Sequence, residues 1–212
     1  LQSISDPDRR MVKTFKTPEK TTYESKISTL KENEIGYLKI PDFKHDDQIL
    51  TTKTIGTILE VQLLNPILPN QKSTFTLSFD GQVPVQIRRS GRNNAEGIAL
   101  SMAQWYPKKA EYDFEGWHAD PYIAREFYGV WGNFDVTITL DKDYTIGGTG
   151  YLQNPNEIGH GYQDQGVVVK HSRRTKTLTC NSRTTIIQDF TWAADKEDIH
   201  VIGQVPGGAK VN

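Results

Sequence analysis

Short segments in which apolar and polar residues alternate, separated by turn residues, constrain this chain more than any other feature. The clearest lie at 57–63, 73–79 and 134–140, and each has the period of two that a half-buried strand requires. Further segments with strand character lie at 36–40, 175–180 and 184–189. No segment has the period of a long amphipathic helix. The pattern predicts a mainly β fold, either an antiparallel β-sandwich or a saddle-shaped sheet with long loops.

Glycine and proline between these segments predict where strands end. The strand at 73–79 is expected to end at Asp80-Gly81 and to form a hairpin with 83–87, although Pro84 would place that partner at an edge or a bulge. The glycine-rich run 147–150 lacks the lysine and the following helix of a phosphate-binding loop. We therefore interpret it as a tight turn.

Composition limits the class of protein. The chain has 212 residues, and we expect 1–212 to be a single β domain. Its 25 basic residues nearly cancel its 26 acidic ones, so the overall charge does not predict a nucleic-acid partner. No apolar run reaches the roughly 18 residues of a membrane helix, so no membrane segment is expected. Cys180 is the only cysteine, and its place in a strand pattern predicts a buried, inert thiol.

The segment 104–121 is dense in aromatic and ionisable residues and interrupts the strand pattern, as a binding loop would. Carboxylates such as Glu111 and Asp113 could serve a glycosidase, which needs two of them across a sugar. Aromatic side chains could instead stack on sugars in a carbohydrate-binding β-sandwich. His118 and Asp120 offer two metal ligands, fewer than a zinc site needs, so no metal site is predicted. The aromatic candidates are Trp105, Tyr106, Trp117, Tyr122 and Trp131.

A basic loop lies at 88–94, just before this segment. Arginine side chains there could hold a carboxylate, because the guanidinium fork matches its geometry. A solvated loop explains the same residues equally well. Both interpretations stay open from the sequence.

Several motifs, in order along the chain, resemble one family. The run Gln104-Trp105-Tyr106-Pro107-Lys108, with the residues before it from 98, resembles the N-terminal domain of aminopeptidase N family zinc metallopeptidases, in the Bacteroidetes-type branch. The resemblance covers nearly the whole chain, since further motifs match at 1–8, 82–94, 116–122, 126–129, 132–140, 150–155 and 189–195. Together these motifs are far more specific than any one of them.

The resemblance implies that catalysis belongs to a different domain from the one that this chain forms. In that family a β-rich N-terminal domain packs on a thermolysin-like catalytic domain, which binds zinc and supplies the general-base glutamate. This chain would then be the non-catalytic part of an enzyme that releases N-terminal residues from peptides. Zinc would be bound by the catalytic domain that this chain lacks, so the chain alone is expected to hold no zinc and to be inactive. Its partners would be peptides with a free N-terminus and the protein's own catalytic domain.

The resemblance also bears on the origin of the chain. Relatives in this branch are often exported, which implies a periplasmic or secreted location, although the sequence itself indicates no compartment. The chain begins with Leu1 rather than Met and shows no signal peptide. We therefore expect it to be a piece of a longer protein.

The resemblance further implies a substrate-binding site. In the family, a glutamine before the aromatic-proline run accepts a hydrogen bond from the α-amine of the substrate, and Gln104 is the matching position. Family members often carry an acidic residue shortly afterwards, but this chain has Tyr106 there, so a second contact to the amine is not implied. Trp105 and Tyr106 either line the pocket for the first side chain of the substrate or pack beneath the loop.

Overall fold

A computed structural model describes residues 29–87, 89–119, 129–201, 203–204, 206–207 and 210–211. The chain divides into two compact units. The first unit comprises 1–87 and 106–129, and the second comprises 88–105 and 130–212. The single domain expected at 1–212 stays a prediction.

The described residues are mainly β, as the alternating pattern predicted, and their paired strands are antiparallel. A short helix, α1, spans Pro155–Ile158. The strands, numbered in chain order, are β1 (Tyr37–His45), β2 (Gln48–Ile49), β3 (Thr52–Ile55), β4 (Ile58–Val61), β5 (Phe75–Gln82), β6 (Gly91–Arg92), β7 (Leu100–Met102), β8 (Glu111–Asp113), β9 (Gly116–His118), β10 (Gly132–Asp141), β11 (Thr145–Gly148), β12 (Tyr151–Leu152), β13 (Thr177–Ile187), β14 (Trp192–Asp195), β15 (Gly203–Gln204) and β16 (Lys210–Val211).

The first unit contains a three-stranded sheet in the order β2-β1-β5 and two separate hairpins, β3-β4 and β8-β9. Strand β5 corrects one expectation, because it does not end at Asp80-Gly81 but continues to Gln82. Strand β1 supplies its partners there, with Lys39 opposite Asp80 and Leu38 opposite Gly81. The segment 83–87 forms no strand element, so the expected hairpin was wrong. Pairing with the distant strand β1, rather than the turn residues Asp80-Gly81, therefore determines where β5 ends.

The second unit contains two larger sheets, in the orders β10-β13-β12 and β11-β14-β7-β6, and the β15-β16 pair. The prediction of a strand at 134–140 is confirmed by β10. The two strands expected at 175–180 and 184–189 form the single strand β13 instead. They join because β10 offers partners along the whole length, from Leu178 opposite Leu140 to Ile187 opposite Gly132.

Phe190 and Trp192 are the aromatic residues among the buried apolar residues described in the second unit. Phe190 is fully buried just before β14, and its ring centroid lies 6.5 Å from that of Phe134 on β10. Residues from both sheets therefore meet in one core, as in a sandwich-like fold. Cys180 is buried in β13, as predicted, and burial raises the pKa of its thiol to about 11. The other buried apolar residues of this unit are Met102, Ile138, Ile158, Trp192 and Ala194.

The first half of the glycine-rich run 147–150 belongs to a strand. Gly147 and Gly148 belong to β11, opposite Ala193 and Trp192 of β14. Gly150 follows with a φ of +90°, a conformation that residues with a side chain rarely adopt. The tight turn predicted at 147–150 was therefore wrong, because Gly147 and Gly148 are paired in a strand and only a bend follows at 149–150.

Replacing Gly150 with alanine is expected to destabilise the protein by about 2–4 kcal/mol. A Cβ atom there would come 2.7 Å from the carbonyl oxygen of Arg183, in addition to the strain of a positive φ. Urea unfolding of Gly150→Ala against the parent protein measures the loss. Gly166→Ala is the matched control, because Gly166 has a φ of +87° with no atom within 4 Å of the added Cβ. Equal losses in both variants would contradict the clash.

Candidate functional site

Gln104 lies two residues beyond the end of β7, in the second unit. Its side chain is exposed. Its φ of +55° is in the left-handed region, which is uncommon for a glutamine. Such a conformation persists only where the surrounding structure holds it, and it is found disproportionately at functional sites.

The residue before Gln104 is held by a serine hydroxyl. The amide of Ala103 donates a hydrogen bond to Ser90 Oγ at 3.0 Å, and the Ser90 hydroxyl donates to the Ala103 carbonyl oxygen. Nearby, the Ser101 hydroxyl donates to the Arg89 carbonyl oxygen at 2.8 Å. Part of the basic loop at 88–94 is thus fastened to β7 and its extension through hydroxyl groups. Sequence reasoning missed Ser90, having considered this loop only for its arginines.

The residue after Gln104 is held by aromatic packing. The indole Nε1 of Trp105 donates a hydrogen bond to the Phe190 carbonyl oxygen at 3.0 Å. Its ring stands edge-on to that of Trp192, with centroids 6.0 Å apart and an interplanar angle of 82°. Of the two roles left open for Trp105, these contacts favour packing beneath the loop.

Tyr106 is half-buried and belongs to the first unit, whereas Gln104 and Trp105 belong to the second. A shallow depression of about 420 Å³ lies in the second unit. Ala103, the residue before Gln104, is one of its lining residues, together with the glycine pair Gly147 and Gly148. The glycines contribute no side chain, which leaves space in the depression.

The hairpin β8-β9 of the first unit exposes an aromatic surface. Tyr112 and Trp117 lie opposite each other with ring centroids 4.9 Å apart, and they are 58% and 63% exposed. Phe114, between the strands, is 95% exposed. Lys109 Nζ lies 5.9 Å from the centroid of the Trp117 ring. Clustered exposed aromatic rings are a common feature of binding surfaces.

Polar residues of the same hairpin form a second cluster. Within the described ranges, Asp113, Glu115 and His118 form a group whose potential metal-ligand atoms lie within 4.8 Å of one another. His118 Nε2 lies 2.8 Å from Asp113 Oδ1, which also accepts the Glu115 amide at 2.9 Å. Hydrolytic zinc sites use more histidines than the single one here, and Asp113 Oδ1 is already engaged. This cluster therefore does not fit the zinc of a peptidase.

Some candidates from the sequence cannot be placed. Asp120, considered with His118 as a possible second metal ligand, lies outside the described residues, as do Tyr122, the motif at 1–8 and all of the motif at 126–129 except Gly129. The carboxylate beside His118 is that of Asp113. The possible glycosidase residues Glu111 and Asp113 are both half-buried on β8.

Asp195 is a buried carboxylate that sequence reasoning missed. Its Oδ1 accepts the Glu197 amide at 2.8 Å, and its Oδ2 accepts the Ala99 amide at 2.7 Å. These hydrogen bonds, that from Glu197 first, hold the pKa of Asp195 below its usual value of 3.8. The contact to Ala99 fixes the start of β7, the strand that leads to Gln104. An aspartate that caps an amide two residues later is a recognisable local signal, whereas the contact to Ala99 is not.

Comparisons with known proteins give no assignment. No family model, curated protein or solved structure matches the chain. In the part of the chain that the structure describes, no helix is both long and apolar enough to cross a membrane. Any functional inference therefore depends on the residues and their geometry.

Asp195→Asn is expected to lower the thermal unfolding midpoint at neutral pH, because an amide group can accept only one of the two N–H bonds well. The lowered pKa of Asp195 stabilises the fold above the pKa of the unfolded chain, and this contribution is lost as the pH falls through the folded pKa. The difference between the two proteins should thus shrink below about pH 4. Circular dichroism melts across pH measure it.

Asp143→Asn is the control, because Asp143 is 60% exposed and lies 3.9 Å from Lys142. We expect it to change the midpoint little. If the difference in unfolding midpoint between Asp195→Asn and the parent protein stays constant as the pH falls below about 4, the role of the carboxylate charge is contradicted.

Proposed function

We propose that this chain is the non-catalytic β module of a zinc aminopeptidase, and that Gln104 binds the α-amine of the peptide substrate. The observation that carries the proposal is the exposed Gln104 side chain, held with a positive φ between two anchored neighbours. The resemblance of 98–108 to the aminopeptidase N family supplies the reaction. The two arguments are independent, since one rests on sequence motifs and the other on backbone geometry.

The chemistry of a glutamine suits this role. A carboxamide oxygen accepts hydrogen bonds and cannot donate them, so it is complementary to an ammonium group. A hydrogen bond to a charged group contributes about 1.5–3 kcal/mol. A peptide with a blocked N-terminus lacks the ammonium and would lose this contact. Gln104 would therefore select free N-termini and fix the first residue of the peptide for reaction.

The resemblance implies that zinc is bound by a catalytic domain outside this chain, and the cluster Asp113, Glu115 and His118 does not fit a peptidase site. Zinc in such an enzyme activates the attacking water. The contribution of this chain would be to hold the peptide terminus and to shield the cleft from large substrates. Ala103, the residue before Gln104, lines the depression in the second unit, whereas Gln104 itself does not line it.

Gln104→Ala in the full-length enzyme is expected to lower kcat/KM for unblocked peptides by about 10- to 100-fold, mainly through a higher KM, because a hydrogen bond to a charged amine is lost. Steady-state kinetics with aminoacyl chromogenic substrates measure the change. Gln62→Ala is the matched control, because Gln62 is an exposed glutamine of the first unit. An unchanged kcat/KM in Gln104→Ala would remove the proposed role.

The exposed aromatic surface of β8-β9 favours a second candidate function, carbohydrate binding. Tyr112 and Trp117 present rings to solvent, and aromatic rings of this kind stack on the apolar faces of sugars. The half-buried carboxylates Glu111 and Asp113 on the same hairpin could accept hydrogen bonds from sugar hydroxyls. This surface belongs to the first unit and shares no residue with the Gln104 loop.

If this second function is present, Trp117→Ala should weaken binding to the oligosaccharides that a glycan array identifies by about ten-fold in Kd, measured by titration calorimetry. The expected loss reflects removal of an aromatic stacking surface, worth about 0.5–1.5 kcal/mol beyond the area that it buries. Trp131→Ala is the control, because Trp131 is 62% exposed, nearly the same as Trp117, but lies in the second unit. Equal losses in the two variants, or an array without binding, would exclude the hairpin as a sugar site.

A further inference from the structure

We infer that Ser90 is a positioning residue that holds the Gln104 loop in its substrate-binding conformation. The inference rests on the proposed function of Gln104 and adds a residue that neither the motif nor the resemblance singles out. Ser90 is half-buried and immediately precedes β6. Its hydroxyl makes hydrogen bonds to both backbone groups of Ala103, the residue before Gln104.

This contact extends the sheet by one residue. Strand β6 pairs with β7 through Gly91 opposite Ser101, and β7 ends at Met102. Beyond that point the backbone of Ala103 has no β6 residue opposite it in the ladder. The Ser90 hydroxyl instead accepts from its N–H and donates to its C=O, and so takes the place of a partner strand.

The position of Gln104 follows from what surrounds it. Ala103 is fixed by Ser90 on one side, and Trp105 is fixed by Phe190 and Trp192 on the other. Gln104 is left between two fixed residues, with a φ of +55°. A backbone in this region relaxes when its surroundings no longer determine it. Loss of the Ser90 hydroxyl would therefore let Gln104 turn its carboxamide away from the amine.

A neighbouring serine offers a matched comparison. Ser101 also donates a side-chain hydrogen bond across the same two segments, to the Arg89 carbonyl at 2.8 Å. The donor of that bond, Ser101, lies on β7 itself, where strand pairing already holds the backbone, and its acceptor, Arg89, is not next to Gln104. Ser90 and Ser101 thus differ in whether their bond reaches the residue next to Gln104. If the serines only stabilise the sheet, Ser90→Ala and Ser101→Ala should both lower kcat/KM. If Ser90 positions Gln104, only Ser90→Ala should lower it.

Kinetics of the full-length enzyme test the inference. Ser90→Ala should lower kcat/KM for unblocked peptides by about five-fold or more, mainly through KM, as expected for one lost hydrogen bond. Ser90→Thr, which keeps the hydroxyl, should restore at least half of the native kcat/KM, and Ser101→Ala should stay within two-fold of it. A native KM in Ser90→Ala, or the same loss in Ser101→Ala, would overturn the inference.

A double-mutant cycle separates positioning from an independent effect. If Ser90 acts through Gln104, Ser90→Ala should change kcat/KM by less than two-fold when Gln104 is already alanine. Fully additive losses would overturn the inference. If Gln104→Ala alone leaves kcat/KM unchanged, the proposed function fails and the role of Ser90 fails with it. If only Ser90→Ala is without effect, the inference fails and the proposed function stands.

Hydrogen exchange gives a readout that does not depend on peptidase activity. The Ala103 amide should exchange at least five-fold faster in Ser90→Ala than in the parent protein, while Ser101→Ala should leave it unchanged. Mass spectrometry of peptides that span 98–108 resolves this amide. An Ala103 exchange rate that is the same in Ser90→Ala and the parent protein would show that the hydroxyl does not hold the loop, and would overturn the inference.

Discussion

Antiparallel pairing between β14 and β7 is the interaction on which the candidate site depends. It sets Trp192 opposite Met102, at the end of the strand from which the Gln104 loop emerges. The same segment supplies the Phe190 carbonyl that binds Trp105, and the Asp195 carboxylate that binds the amide of Ala99. One stretch, 190–195, in which four of the six residues are buried, therefore fixes both ends of the segment that presents Gln104. A change in the register of β14 would displace all of these contacts together.

The two candidate functions depend on different kinds of structure. The proposed amine contact needs one carboxamide held at a defined angle, so its geometry comes from a sheet, a serine hydroxyl and an aromatic core in the second unit. A sugar platform needs exposed flat rings, and the two-stranded hairpin β8-β9 provides them through Tyr112 and Trp117, which contact each other across the two strands. Because the two sites share no residue, evidence for one does not count against the other.

Alternation in the sequence predicted where strands lie, but it missed the strand ends that are set by pairing with a distant partner strand. Alternation located β4, β5 and β10, whose residues vary along each strand between exposed and at least half-buried. It missed the continuation of β5 through Asp80-Gly81 and the union of two segments in β13, since in both cases a long partner strand kept the backbone paired. A turn signal describes what a segment does alone, and pairing can override it.

In the candidate site, too, the sequence pattern did not reveal contacts that depend on strand pairing. Gln104 could be singled out from its motif, but Ser90 could not, because a hydroxyl that bonds a backbone 13 residues away depends on the register of β6 and β7. The contact of Asp195 with Ala99 spans 96 residues and depends on β14. Both residues act on the backbone of other segments, and such contacts leave no periodic trace in a sequence. They emerge only when strand pairing is known.

The backbone of Gln104 gives the strongest physical argument that its side chain has a purpose. A residue with a Cβ in the left-handed region costs about 1–2 kcal/mol relative to its ordinary conformation, and glycine or asparagine would bear this cost more easily. The exposed side chain of Gln104 recovers little of that cost through burial. Neighbours on both sides nevertheless hold the conformation, through Ser90 and through Trp105. Ile186 also has a positive φ, +53°, and is 72% exposed, so this backbone conformation alone does not identify a binding residue. The proposed role of Gln104 therefore needs the motif at 98–108 as well as the geometry.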